Sequence, residues 1–181
     1  MISPDPVRQA LAYQQMLLDA LGDDDPADAQ AATAARIRRL IAEAGDDLRT
    51  RPEPKEWSVL ECISHAADAE LVMSARYRWV LAHDEPELIG YDQDLWVDGL
   101  RHNRDDPADL VALFEALRAA NLALWRRSSA AERARVGIHR ERGRESYDLM
   151  FRMIGGHDRV HLDQADRALA AVRALAAGRE R

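Results

Sequence analysis

Cysteine, lysine, glycine and the aromatics are all scarce in this chain, and each shortage excludes something. Cys62 is the only cysteine, so no intrachain disulfide and no CxxC zinc motif can form, which suits a reducing cytoplasm. Lys55 is the only lysine; the other positive charges are arginines interleaved with acids, and no basic run exceeds two or three residues. With a formal net charge of -7, the chain lacks the basic stripe of a nucleic-acid binder. No apolar stretch approaches the roughly 18 residues of a membrane span. The start, Met1-Ile2-Ser3-Pro4-Asp5, lacks the basic and apolar blocks of a signal peptide. These absences lead us to expect a cytoplasmic protein without nucleic-acid or membrane partners. Alternating β-branched runs are missing too, so no strands are expected, and no repeat of solenoid period occurs.

What is present is helix-forming. Alanine, leucine and arginine dominate; 47% hydrophobic and 31% charged residues describe a globular chain rather than a disordered one. A first helix is expected from about Pro6 to Leu21, ending at Gly22, as an extension packed on the rest. Asp25-Pro26-Ala27-Asp28 is a start signal: an N-cap, proline at the first helical position, and an acid in the first turn. The helix it opens carries Ile37, Leu40 and Ile41 on one stripe and stops near Gly45. After a charged, proline-rich connector, Ser58 and Glu61 form a capping box for a long helix to about His83. Residues 84–105 read as irregular, with a short helix around Asp94 to Leu100; loops of this length are often lids or binding loops. Asp106-Pro107-Ala108-Asp109 repeats the start signal for a helix to about Ser128, with Leu110, Leu113, Phe114, Leu117, Leu124 and Trp125 as its buried face. Residues 136–145 read as irregular. The last helix runs from about Ser146 to Ala176. The expected division is an N-terminal helical extension over 1–25 and a bundle over 26–181.

The strongest chemical signal is His157-Asp158-Arg159-Val160-His161. Histidines at i and i+4 share a helix face, one turn apart, and can ligate one ion. They interrupt an inward stripe of Met150, Met153, Ile154, Gln164, Ala168 and Val172. Paired helical histidines also occur as ordinary surface or core residues. The HExxH glutamate of thermolysin-like peptidases is missing. His65, two turns into the capped helix, is either an interhelical core residue or a third ligand, as bundles build metal sites from facing helices.

The segment Trp57-Ser58-Val59-Leu60-Glu61-Cys62-Ile63-Ser64-His65-Ala66-Ala67-Asp68-Ala69-Glu70 resembles the second-helix signature of the DinB/YfiT-like superfamily. His157-Asp158-Arg159-Val160-His161-Leu162-Asp163-Gln164 resembles that family's closing motif, and the resemblance covers roughly residues 27–175. It implies an all-α fold: a four-helix bundle with an unusual connection between its second and third helices, here with an extra N-terminal segment. It implies a metal triad of His65, His157 and His161, and a homodimer. Gly155-Gly156, unusual inside a helix, reads either as close packing of a neighbouring helix, across a dimer for instance, or as clearance at the metal.

Three imidazoles with open positions describe a catalytic site of zinc type, and nickel and iron suit the same ligands. Cys62 reads as a buried structural thiol. Asp68 and Asp158 read either as acceptors orienting an imidazole or as surface ion-pair partners. Glu141 reads as a general base or as a loop salt bridge, with His139 beside it. Tyr91, Asp92, Trp96 and Arg76 read as packing or as the mouth of a pocket. His83 and His102 read as ordinary exposed residues. The resemblance implies a metal-dependent transferase that activates a low-molecular-weight thiol, of bacillithiol or mycothiol type, for attack on an electrophilic small molecule. The alternatives are a hydrolase using a metal-bound hydroxide, with Glu141 or Asp158 taking the proton, and a non-catalytic, stress-related binding bundle.

Overall fold

The computed structural model describes residues 9–179; residues 6–8, expected to open the first helix, lie outside the described residues. Helix starts follow the cap residues. The Asp25 carboxylate accepts the N–H groups of Ala27 and Asp28 at 2.8 and 3.0 Å and opens α2 (Pro26–Ala44), after α1 (Ala10–Leu21). Asp106 does the same for α5 (Pro107–Arg127), accepting from Ala108 and Asp109 at 2.8 and 3.3 Å. Each such cap stabilises by about 1 kcal/mol. The Ser58–Glu61 capping box opens α3 (Val59–Ala82). Arg51 donates a fork to the Glu61 carboxylate at 2.6 and 2.8 Å, which ties the charged connector to the start of α3.

The last helix, α7 (Tyr147–Arg179), is roughly 50 Å long at 1.5 Å per residue and forms the spine. α2, α3 and α7 pack together, and α5 closes the four-helix bundle against α2 and α3. One core cluster lies around Leu40, Leu60, Ile63, Phe114 and Leu162, and a second around Tyr77, Leu88, Trp125, Tyr147 and Phe151. α1 lies along α7 and buries Tyr13, Leu17 and Leu21. Gly156 is what permits this: a Cβ there would sit 1.8 Å from the Leu17 carbonyl oxygen. The glycine pair therefore serves packing within the chain, and the expected homodimer loses it as support. No helix among the described residues is long and apolar enough to cross a membrane.

Two expectations are corrected. The chain does contain strands: β1 (Glu87–Leu88) runs parallel to β2 (Val136–His139), which pairs antiparallel with β3 (Gly143–Ser146). They are too short for an alternating pattern, and Gly137, which breaks the β-branched run, is needed because a Cβ there would meet Leu88 at 2.8 Å. The stretch 84–105 also holds α4 (Gln93–Gly99), close to the short helix expected there. On α5 the buried face is Leu110, Phe114, Arg118, Asn121, Leu122 and Trp125, while Leu113 is exposed. Arg118 and Asn121 continue the inward spacing of Leu110, Phe114 and Trp125, and polar partners meet them inside. α6 (Ala130–Arg133) is a single turn leading into the hairpin.

Candidate metal centre

Packing of α3 on α7 brings His65 against His157 and His161. The Nε2 atoms of His65 and His157 lie 3.0 Å apart, and one ligand nitrogen from each of the three residues lies within 4.8 Å of the others. All three are buried. Burial, reinforced by Arg118, pushes the His157 pKa down to about 3; burial likewise holds His65 and His161 well below the ordinary imidazole value. The rings are therefore neutral and present lone pairs. Gln164 accepts a hydrogen bond from Nδ1 of His161 at 3.0 Å, which leaves Nε2 as that ring's lone-pair atom. The Tyr13 hydroxyl donates toward this Nε2 at 3.4 Å, and the Trp57 ring stacks on His161 with centroids 5.9 Å apart. The 3.0 Å contact between His65 and His157 can hold at most one shared proton, and Nδ1 of each has no partner among the described residues. A divalent cation between the rings would satisfy the facing lone pairs, so the donor set fits a zinc-type ion.

His65 and His157 also form one end of a cavity of about 330 Å³. Tyr13 and Leu17 of α1, Met73 of α3, and Met153 and Ile154 of α7 give it apolar walls. The loop after β1 contributes Tyr91 and Asp92, and Arg76, His139, Glu141 and Arg142 complete the end closed by the hairpin. Gly90 leaves room for Glu141, since a Cβ there would lie 2.9 Å from its Oε2.

A family model described as the DinB superfamily matches residues 27–165. The chain belongs to the DinB superfamily. The fold of this DinB-superfamily chain is also similar to that of YfiT from Bacillus subtilis, described as a probable metal-dependent hydrolase with an unusual four-helix bundle topology. That likeness has a TM-score of 0.71 at 17% identity and covers 97% of this chain and 93% of the other, so it reaches into α1, which the family model leaves out. No curated protein sequence matches the chain.

In this member of the superfamily the expected helper residues separate. Glu141 reaches the cavity wall, where its Oε2 lies 3.0 Å from Nδ1 of His139. Asp158 does not face the cavity and is not on the surface. It is buried and accepts hydrogen bonds from Arg118 and Thr33, both at 2.7 Å. Arg118 also pairs with buried Glu70 at 2.8 Å, so a Glu70–Arg118–Asp158 network joins α3, α5 and α7 behind the histidines. Asp68 orients no imidazole of the triad; its carboxylate is 2.6 Å from Nε2 of His102. His102 is buried rather than exposed, with Asp105 at 2.8 Å on its other nitrogen, and the hydrogen bond to Asp68 above all raises its pKa against the opposing effect of burial. His83 is exposed as expected. Cys62 lies in the core, and burial pushes its thiol pKa up, which makes it inert packing. Trp96 packs on Tyr91 with ring centroids 4.5 Å apart. Sequence reasoning missed Tyr13, since an extension on a bundle gives no hint of reaching a site. Gln164 had a signal: it stands one turn after His161 on the same face.

Proposed function

We propose that this protein is a metal-dependent transferase, in which a divalent ion on His65, His157 and His161 activates a low-molecular-weight thiol against an electrophilic small molecule in the cavity. The observation that carries this is the convergence of three buried, neutral imidazoles, two of which form the cavity end. A zinc or nickel ion there would supply Lewis acidity, lowering the pKa of a thiol at neutral pH. The protein's own groups do the rest. Gln164 and Trp57 hold His161 in place, and Leu17, Met73, Met153 and Ile154 keep water from the reacting atoms. Glu141 stands against His139 at the other end of the cavity, so the thiol gives up its proton to bulk water as it enters and reacts as the thiolate. The sulfur then bonds to the electrophilic carbon, and the leaving group departs with the bonding pair.

A second reading is hydrolysis at the same site, with water in place of the thiol. The fold likeness to YfiT, itself described as a probable metal-dependent hydrolase, favours it.

The test is metal content by elemental analysis of untagged wild type and His157→Ala, followed by turnover of an electrophile panel with and without added thiol. About one equivalent of metal, lost in the variant, together with thiol-dependent turnover, is the expected result. Turnover with water alone selects hydrolysis. A wild type that holds no metal and refuses added zinc and nickel sinks both readings.

A further inference from the structure

We propose that the cavity end remote from the histidines is a carboxylate-binding subsite anchored by Arg76, so that the substrate is a small monocarboxylate with a short apolar body. This rests on the reading of the cavity as the substrate site. Arg76 follows His65 by three turns of α3, on the same face and about 16 Å along the axis. It lines the cavity although it is only 4% exposed. Its Nη2 donates to the Ile89 carbonyl oxygen and toward Nε2 of His139 at 3.3 Å, while its Nε has no partner. No carboxylate stands within ion-pair distance of Arg76 among the described residues. The other guanidinium groups nearby are neutralised: buried Arg118 by Glu70 and Asp158, and half-buried Arg142 by Glu145.

His139 does not supply the missing negative charge. Its Nε2 accepts from the Arg76 guanidinium and its Nδ1 lies 3.0 Å from the Glu141 carboxylate and 3.3 Å from the Glu141 backbone N–H, so the ring is a neighbour of Arg76 and not a counter-ion. Glu141 is thereby engaged, and Glu145 is held by Arg142. A guanidinium removed from water with an idle N–H and no counter-ion is a costly arrangement that a bound anion relieves. The planar fork of arginine matches a carboxylate edge. A phosphate dianion fits less well, because among the described residues Arg76 is the one guanidinium of the cavity lining without an ion-pair partner, and Glu141 stands in the same wall. Between Arg76 and the histidines the walls are apolar, with Met73 on α3 and Met153 and Ile154 on α7, which sets the body of the ligand.

The experiment titrates metal-loaded wild type, Arg76→Met, Arg76→Lys and His157→Ala calorimetrically with 4-phenylbutyrate and with its neutral amide, 4-phenylbutanamide, in carboxylate-free buffer. Wild type is expected to prefer the carboxylate by about tenfold or more. Arg76→Met abolishes the preference while keeping its metal, which also shows that it is folded. Arg76→Lys reduces the preference without abolishing it. His157→Ala loses its metal and keeps the preference. Three results each overturn the subsite: no preference in wild type, a preference that survives in Arg76→Met, or one that disappears with the metal in His157→Ala, which would put the carboxylate on the ion. Tighter binding of 3-phenylpropylphosphonate than of the carboxylate overturns the choice of anion. Should Arg76→Met fail to fold, Arg76→Lys and His157→Ala decide. Metal content reads the proposed function and the carboxylate-to-amide ratio reads the subsite, so the two fail separately.

Discussion

Replacing Gly156 by alanine puts a methyl group where the backbone of α1 already lies. The new Cβ would stand 1.8 Å from the Leu17 carbonyl oxygen and 2.7 Å from its carbonyl carbon, against 3.4 Å or more for ordinary contact. These are backbone atoms, so no rotamer change relieves the clash and α1 must retreat by about 1.6 Å. That retreat opens the seam holding Tyr13, Leu17 and Leu21, which are 6%, 2% and 1% exposed. Full exposure of such side chains costs about 1.5–3 kcal/mol each, and partial opening a fraction of that sum. Alanine returns about 1 kcal/mol in helix propensity. A net loss of about 2–4 kcal/mol follows, read in urea as a midpoint lowered by roughly 1–2 M. Gly155→Ala is the matched control. Its nearest neighbour is the flexible tip of Leu21 at 3.2 Å, so it should be neutral or stabilising by up to ~1 kcal/mol. A Gly156→Ala protein as stable as wild type, or equal losses at both positions, would refute the close approach of α1 to α7.

Arg118→Leu leaves Glu70 and Asp158 buried without their cation and should lower stability by about 3–5 kcal/mol in chemical denaturation; a loss under 1 kcal/mol would show that the network is not closed as described. Metal-stripped protein should weaken in acid. Above pH 6.5 His157 is neutral in both native and unfolded chains; between 6.5 and about 3 only the unfolded chain takes the proton, so stability falls as pH drops through that window, by ~1.4 kcal/mol per unit and up to ~5 kcal/mol in all. His65 and His161 act in the same direction, and a urea midpoint unchanged between pH 7 and pH 5 would contradict their burial as neutral rings. His102 has the opposite sign. Its raised pKa stabilises fully below about 6.5 and the stabilisation is lost as pH rises through the raised value. Asp68→Asn should lower the His102 pKa seen by NMR titration, and an unmoved titration would remove Asp68 as the cause.

Local chemistry was legible in the sequence. The Asp-Pro starts at residues 25 and 106 and the capping box at Ser58 specify helices through backbone contacts within four residues, so α2, α3 and α5 begin where the sequence places them. His157 and His161 share a face because helical pitch requires it, and the resemblance to a known superfamily added His65 and the bundle. Periodicity was a weaker guide where polar residues are buried. His102 reads as exposed, and Asp158 as an imidazole acceptor or a surface ion-pair partner, because a one-dimensional pattern cannot show the partners that meet them in the interior. The strands were invisible for a related reason: β1 is two residues long and exists only through pairing with a segment about 50 positions later. By itself, then, the sequence determined the helices, their starts and the spacing of two histidines. The tertiary structure decided that α1 joins the site, that Asp158 turns to Arg118 rather than to an imidazole, and that Arg76 lies buried without a counter-ion. Those outcomes depend on which side chains meet across helices far apart in the chain, and only the packed bundle sets those distances.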